Sequence, residues 1–155
     1  MSIPNWITSS LDAHSVPYRH HHHRTAYTAQ AAAEREHVPG ARFGKVVVAI
    51  ADRRPVLLVM PAHQRVDLSR ARTALGAAEL RMADEDEIAR LLPDAAVGAI
   101  PPLPHWPGVE VWMDPSLRHQ GELVFEAGTH EDTIHMDFAD WMRIVDPKMA
   151  VFVGA

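Results

Sequence analysis

Lys45 is the residue whose setting most suggests chemistry. The chain holds thirteen arginines but only two lysines, Lys45 and Lys148. Lys45 opens the apolar run Val46-Val47-Val48-Ala49-Ile50, where a charge is costly unless it is paired or at a pocket mouth. A lysine there offers a compact charge with three donors, suited to a phosphate, a carboxylate or a positioned water. Its bland counterpart is an edge-strand lysine whose stem lies on apolar surface while the ammonium stays in water. Gly98-x-x-x-Pro102 is the second feature: a proline-stiffened bend able to present backbone groups to a ligand. Gly128-Thr129-His130 is either a turn or a further pocket wall.

The eleven histidines include the contiguous run His20-His21-His22-His23. In an extended chain those rings alternate sides and do not converge as a helical i, i+4 pair does. No His-Glu-x-x-His helix, Gly-x-Ser-x-Gly elbow, phosphate-cradling Walker loop or dinucleotide glycine fingerprint is present. With no cysteine there is no thiolate metal site and no thiol nucleophile. No metal or cofactor is therefore expected. A histidine-dependent metalloprotein stays open as the alternative carried by the tetrahistidine run.

The 155 residues are 47% hydrophobic and 23% charged, an ordinary globular composition. No apolar run approaches the ~20 residues of a membrane-spanning helix. Met1-Ser2-Ile3-Pro4-Asn5 lacks the basic and apolar regions of a secretion signal, so a cytoplasmic location without membrane association is expected. The net charge of −5 argues against indiscriminate nucleic-acid binding. Charge is unevenly spread, however: residues 1–81 carry eleven Lys/Arg against six Asp/Glu, and residues 82–155 four against fourteen. The basic half can attract an anionic partner, or the two halves can simply attract one another.

The elements that must position these residues follow from periodicity and punctuation. Trp6, Ile7 and Leu11 after Pro4 predict a helix over 4–14. Val16-Pro17-Tyr18 reads as extended, and Thr28 as the N-cap of an alanine-rich helix that ends by Val38-Pro39-Gly40. Arg42 to Ala51 and Val56 to Met60 form a hairpin across Asp52-Arg53-Arg54-Pro55. Asp67 caps a helix through Leu75 that Gly76 stops, and a short strand follows near Ala78 to Met82. Asp84-Glu85-Asp86-Glu87 opens a helix to Leu92, its carboxylates matching the positive end of the helix dipole. Gly98 to Pro104 is a rigid loop between strands. Val109 to Met113, Glu122 to Ala127 and Thr133 to Asp137 are strands, and Phe138, Trp141, Met142 and Val145 mark a last amphipathic helix. The expected fold is α+β, a single domain over residues 1–155 with a mixed, largely antiparallel β-sheet and flanking helices.

Taken in order, the motifs are more specific than singly. Thr28-Ala29-Gln30-Ala31-Ala32-Ala33, Lys45 opening its strand, Val59-Met60-Pro61 and Arg65-Val66-Asp67-Leu68 come first. Leu75-Gly76, Gly98-Ala99-Ile100-Pro101-Pro102, Val111 to Leu117 and Phe125-Glu126-Ala127-Gly128-Thr129 complete the set. From about residue 10 to 146 the chain resembles the YbaK/EbsC-type aminoacyl-tRNA deacylases, a family that includes the prolyl-tRNA synthetase editing domain. The resemblance implies a free-standing trans-editing enzyme that hydrolyses the ester of a mischarged tRNA with a positioned water. It puts the family's lysine on Lys45 and its glycine–proline loop on Gly98 to Pro102. It implies Lys45 and Gly98 as catalytic, and Thr28, Ile100, Pro101, Pro102, Gly128, Thr129 and His130 as substrate-binding. The implied partners are the acceptor end of a mischarged tRNA and an aminoacyl-tRNA synthetase. Two departures stand out: Val46 where many relatives have threonine, and Leu103-Pro104-His105-Trp106 without the usual glycine. They leave open a noncatalytic module that holds aminoacyl-tRNA or a synthetase.

Overall fold

The longest hairpin in the chain turns on two non-glycine residues, Asp52 (φ 46°) and Arg53 (φ 71°), both in the left-handed region. That pairing suits a two-residue hairpin turn whose twist matches the flanking strands. Asp52 is held there by accepting the Ala78 and Glu79 amide hydrogens. In the computed structural model, residues 3–154 are described.

Chain order is α1 (Asn5–Ala13), β1 (Tyr18–His22), α2 (Ala29–Arg35), β2 (Phe43–Ala51), β3 (Arg54–Pro61), β4 (Arg65–Val66) and α3 (Leu68–Leu75). There follow β5 (Leu80–Met82), α4 (Glu85–Leu91), β6 (Glu110–Met113), β7 (Glu122–Glu126), β8 (Asp132–Asp137), α5 (Phe138–Val145), β9 (Lys148–Met149) and β10 (Val153–Gly154). The large sheet runs β1-β8-β7-β2-β3-β6-β9, with β5 also on β2, and β10 pairs with β4 in a small second sheet. β1–β8, β7–β8, β2–β3 and β2–β5 are antiparallel, whereas β2–β7, β3–β6 and β6–β9 are parallel. The expected α+β class and mixed sheet are therefore present.

Caps explain most of the helix boundaries. Asp67 accepts the Arg70 amide hydrogen, and α3 stops at Gly76 with φ 68°. Asp84 and Glu87 form a reciprocal capping box at the start of α4, so the run of four carboxylates is a helix start. The Gly98 to Pro104 segment joins helix α4 to strand β6, not two strands as its neighbours in sequence suggest. β1 extends the expected Val16–Tyr18 segment through the histidines to His22.

Strand alternation divides the core between the two faces of the sheet. One face carries the main cluster, in which Val48, Leu57, Val59, Leu123, Phe125 and Trp141 pack with α1, α5 and the Ile100–Leu103 segment. On the other face, Phe43 and Val124 meet the alanines of α2, and Ala49, Leu58 and Met60 meet Ala71 and Phe152. Buried Asp114 ties the C-terminal strand down by accepting the amide hydrogens of Phe152 and Val153.

β2 changes partner on one of its edges. Its first residues pair with β7, as Phe43↔Val124 and Gly44↔Phe125, and its last three with β5, from Ala49↔Met82 to Ala51↔Leu80. Between those ladders that edge of β2 runs past Lys45, Val46 and Val47 without a strand partner.

Candidate active site

Lys45 lies in that gap. Phe43 faces α2, so alternation turns Lys45 to the same side of the sheet. The side chain is half-buried, and its ammonium donates to the Gln64 carbonyl in the β3–β4 connection. Burial pushes the Lys45 pKa down, and the like charge of Arg65 pushes it further in the same direction. Among the described residues Lys45 makes no ion pair. A half-buried cation with a second cation nearby and no carboxylate partner attracts anions.

The next strand holds a group that sequence reasoning passed over. Glu126 lies one step beyond the Gly44↔Phe125 pair and, by the same alternation, on the face of Lys45. It is only 4% exposed, and its Oε1 has no hydrogen-bond partner. Burial lifts its pKa from 4.5 to about 8, so this carboxyl is neutral at pH 7. Buried carboxyls with such shifts cluster at functional sites. The signal in the sequence was a Glu in the last position of an apolar strand.

Gly98 and the turn after β7 are stapled together. The Gly128 amide donates to the Ala99 carbonyl at 2.9 Å, and the Ala96 amide donates to the Gly128 carbonyl at 2.8 Å. Gly98 has φ 87°, and a Cβ there would meet His130 Cε1 at 3.5 Å and the Tyr27 carbonyl at 3.6 Å. Gly98, Gly128, His130 and the N-terminal end of α2 therefore converge. Pro102 is fixed by its carbonyl, which accepts the Trp141 indole hydrogen at 2.9 Å. His130 has a buried Nδ1 without a partner, and its ring lies 5.1 Å from that of Tyr27. Tyr27, also unforeseen, is 74% exposed.

Other predicted residues are spent differently. Thr28 uses its hydroxyl to cap α2, accepting the Ala31 amide hydrogen. Ile100, Pro101 and Pro102 are buried, so they build the bend from within. Thr129 is buried and donates to Asp132 at 2.6 Å, on the side of His20 and His22. A cavity of about 510 Å³ lies at the far end of the hairpin, around Ile50, Asp52, Arg53 and Arg81. Arg81 and Glu87 form a bidentate pair there and Asp52 accepts backbone amide hydrogens, while among the described residues Arg53 and Arg90 make no ion pair. Lys45 differs from these arginines in being half-buried, with its pKa lowered by burial.

The molecule is a mixed sheet with a half-buried cation at a gap in β2 and a stapled glycine–proline bend. The sequence profile of the aminoacyl-tRNA editing domain matches residues 23–144, and the chain belongs to that family. It is 31% identical over 98 residues to the multifunctional Ser/Thr-tRNA deacylase ProXp-y of Escherichia coli K12, covering 63% of this chain and 58% of that protein. It is 33% identical over 110 residues to a proline–tRNA ligase of Anaeromyxobacter sp. strain K, covering 70% of this chain and 18% of the ligase. The fold superposes with a TM-score of 0.82 on a crystal structure described as a candidate trans-editing enzyme for prolyl-tRNA synthetase. That match has 20% identity and covers 96% of this chain and 95% of the other. No helix among the described residues is long and apolar enough to cross a membrane.

Proposed function

We propose that this protein is a trans-editing aminoacyl-tRNA deacylase that hydrolyses the ester between a wrongly attached amino acid and the terminal ribose of a tRNA. The carrying observation is Lys45, half-buried and unpaired beside Arg65 in a chain of this family. Water adds to the ester carbonyl carbon, the carbonyl oxygen takes up negative charge, and the ribose oxygen leaves with a proton. Free amino acid and free tRNA result. The ester is already activated, so orienting water and stabilising the oxyanion suffice without a nucleophilic side chain.

In this reading Lys45 holds a phosphate or the adenosine of the acceptor end. The bend around Gly98, stiffened by Pro101 and Pro102 and braced by Gly128, positions the ester and its water. Ile100, Thr28, Thr129 and His130 shape its surroundings, and Tyr27 presents a ring face on which an unpaired base can stack. The amino acid is selected by size, as in a second editing sieve. An aminoacyl-tRNA synthetase is the expected partner that delivers the mistakes.

The test is a panel of mischarged tRNAs incubated with wild type and Lys45→Ala. Release of amino acid from at least one species, slowed on the order of 100-fold or more by the substitution, is the expected result. Equal, slow release from every species by both proteins would overturn the enzymatic reading. Saturable tRNA binding without turnover would favour the noncatalytic module suggested by Val46 and Leu103.

A further inference from the structure

Alternation along β1 sends His20, His21 and His22 of the tetrahistidine run to two sides of the sheet. His20 and His22 go to one side, where both approach the same oxygen of Asp132, at 2.6 and 3.2 Å. His21 goes to the other. The β1–β8 register pairs His21 with Thr133 and Arg19 with His135, so His21 and His135 are diagonal neighbours on one face. Their ring centroids are 4.1 Å apart. Glu36, the residue that ends α2, reaches over both: its Oε1 is 2.9 Å from His135 Nε2 and 3.4 Å from His21 Nδ1.

We propose that His21, Glu36 and His135 form a binding site for one divalent transition-metal ion of the zinc class. The three donor atoms all lie within 4.8 Å of one another. A tetrahedral ion with bonds of about 2.0–2.2 Å places its ligands roughly 3.4 Å apart, so small side-chain adjustments close the site. Two imidazoles and one carboxylate are a borderline donor set that suits zinc and its neighbours better than calcium or magnesium. Glu36 and His135 are nearly buried, with side chains 7% and 6% exposed, whereas His21 is 39% exposed. The open coordination position therefore faces solvent on the His21 side.

The surroundings orient the ligands as metal sites require. Thr133 donates its hydroxyl hydrogen to Glu36. Glu122 brings a carboxylate oxygen to 3.8 Å from the far nitrogen of His135, and Arg19 grips Glu122 through two bonds of 2.7 and 2.8 Å. The site links β1, β8 and the end of α2, and it does not depend on the proposed deacylation.

The test uses the full chain after exhaustive chelation, titrated with Co²⁺ and followed by visible absorption, with Zn²⁺ as competitor. Wild type should take up one equivalent with the intense ligand-field bands of a tetrahedral ion, bleached by Zn²⁺. His21→Ala and Glu36→Gln should each weaken that binding on the order of 100-fold, while the double variant His20→Ala/His22→Ala leaves it unchanged. His21 is half-exposed and its loss spares the His135–Glu36 contact, so that variant tests the site without dismantling the core. Absence of one-to-one binding, or binding that follows His20 and His22 instead, overturns the assignment.

Discussion

Replacing Glu126 with glutamine should remove a pH dependence of stability that burial writes into the fold. Its pKa rises from 4.5 to about 8 in the native state, with desolvation as the cause. A carboxyl with a raised native pKa favours folding when protonated. Its contribution is intact below the unfolded value, is lost progressively as pH climbs from about 4.5 to about 8, and then stays constant. Each pH unit in that window costs about 1.4 kcal/mol, so ionisation disfavours the native state by about 3 kcal/mol at pH 7 and about 4 kcal/mol at pH 8. Glutamine keeps the shape and a carbonyl oxygen but never ionises. Urea denaturation of both proteins at pH 5, 6, 7 and 8 isolates the effect, because every other titrating group is shared. The stability of Glu126→Gln minus that of wild type should grow by on the order of 3 kcal/mol from pH 5 to pH 8. A difference that stays flat across the series would refute the reasoning, since the carboxyl would then titrate alike in both states.

Tyr27→Ala should weaken tRNA engagement by about 1–3 kcal/mol, the worth of one stacked base, raising KM with little change in kcat. An unchanged KM would remove Tyr27 from the site. Gly128→Ala forces a Cβ to within 2.8 Å of Pro4 Cδ at a φ of 87°, and the backbone strain alone should cost about 1–3 kcal/mol. Calorimetry showing an unshifted Tm would contradict that packing.

Local chemistry made much of this fold legible. Asp67 to Gly76 carries its own cap, helix and left-handed stop, and α3 occupies Leu68–Leu75 as read. Thr28 caps α2 for the same reason. The parallel ladders β2–β7 and β3–β6 could not be read, because they join segments far apart in sequence whose periodicities carry no pairing information. β4, β9 and β10 are two residues each, too short to alternate. At the site, Lys45 and the Gly98 bend were visible as types out of place, while Glu126 and Tyr27 acquired meaning only from burial and neighbours. The tetrahistidine run shows the limit best. Its alternation was foreseeable, but that His135 and Glu36 wait on one side needs the β1–β8 register and the end of α2.

The break in the pairing of β2 has an evolutionary consequence. One bank of that notch is β7, anchored through β8; the other is β5, which leads directly into the capped start of α4. Because the two banks are moored independently, mutations in either can widen or narrow the opening while the strand bearing Lys45 stays put. If the proposed deacylation takes place at that opening, such a scaffold can drift toward new amino acids by adjusting a margin.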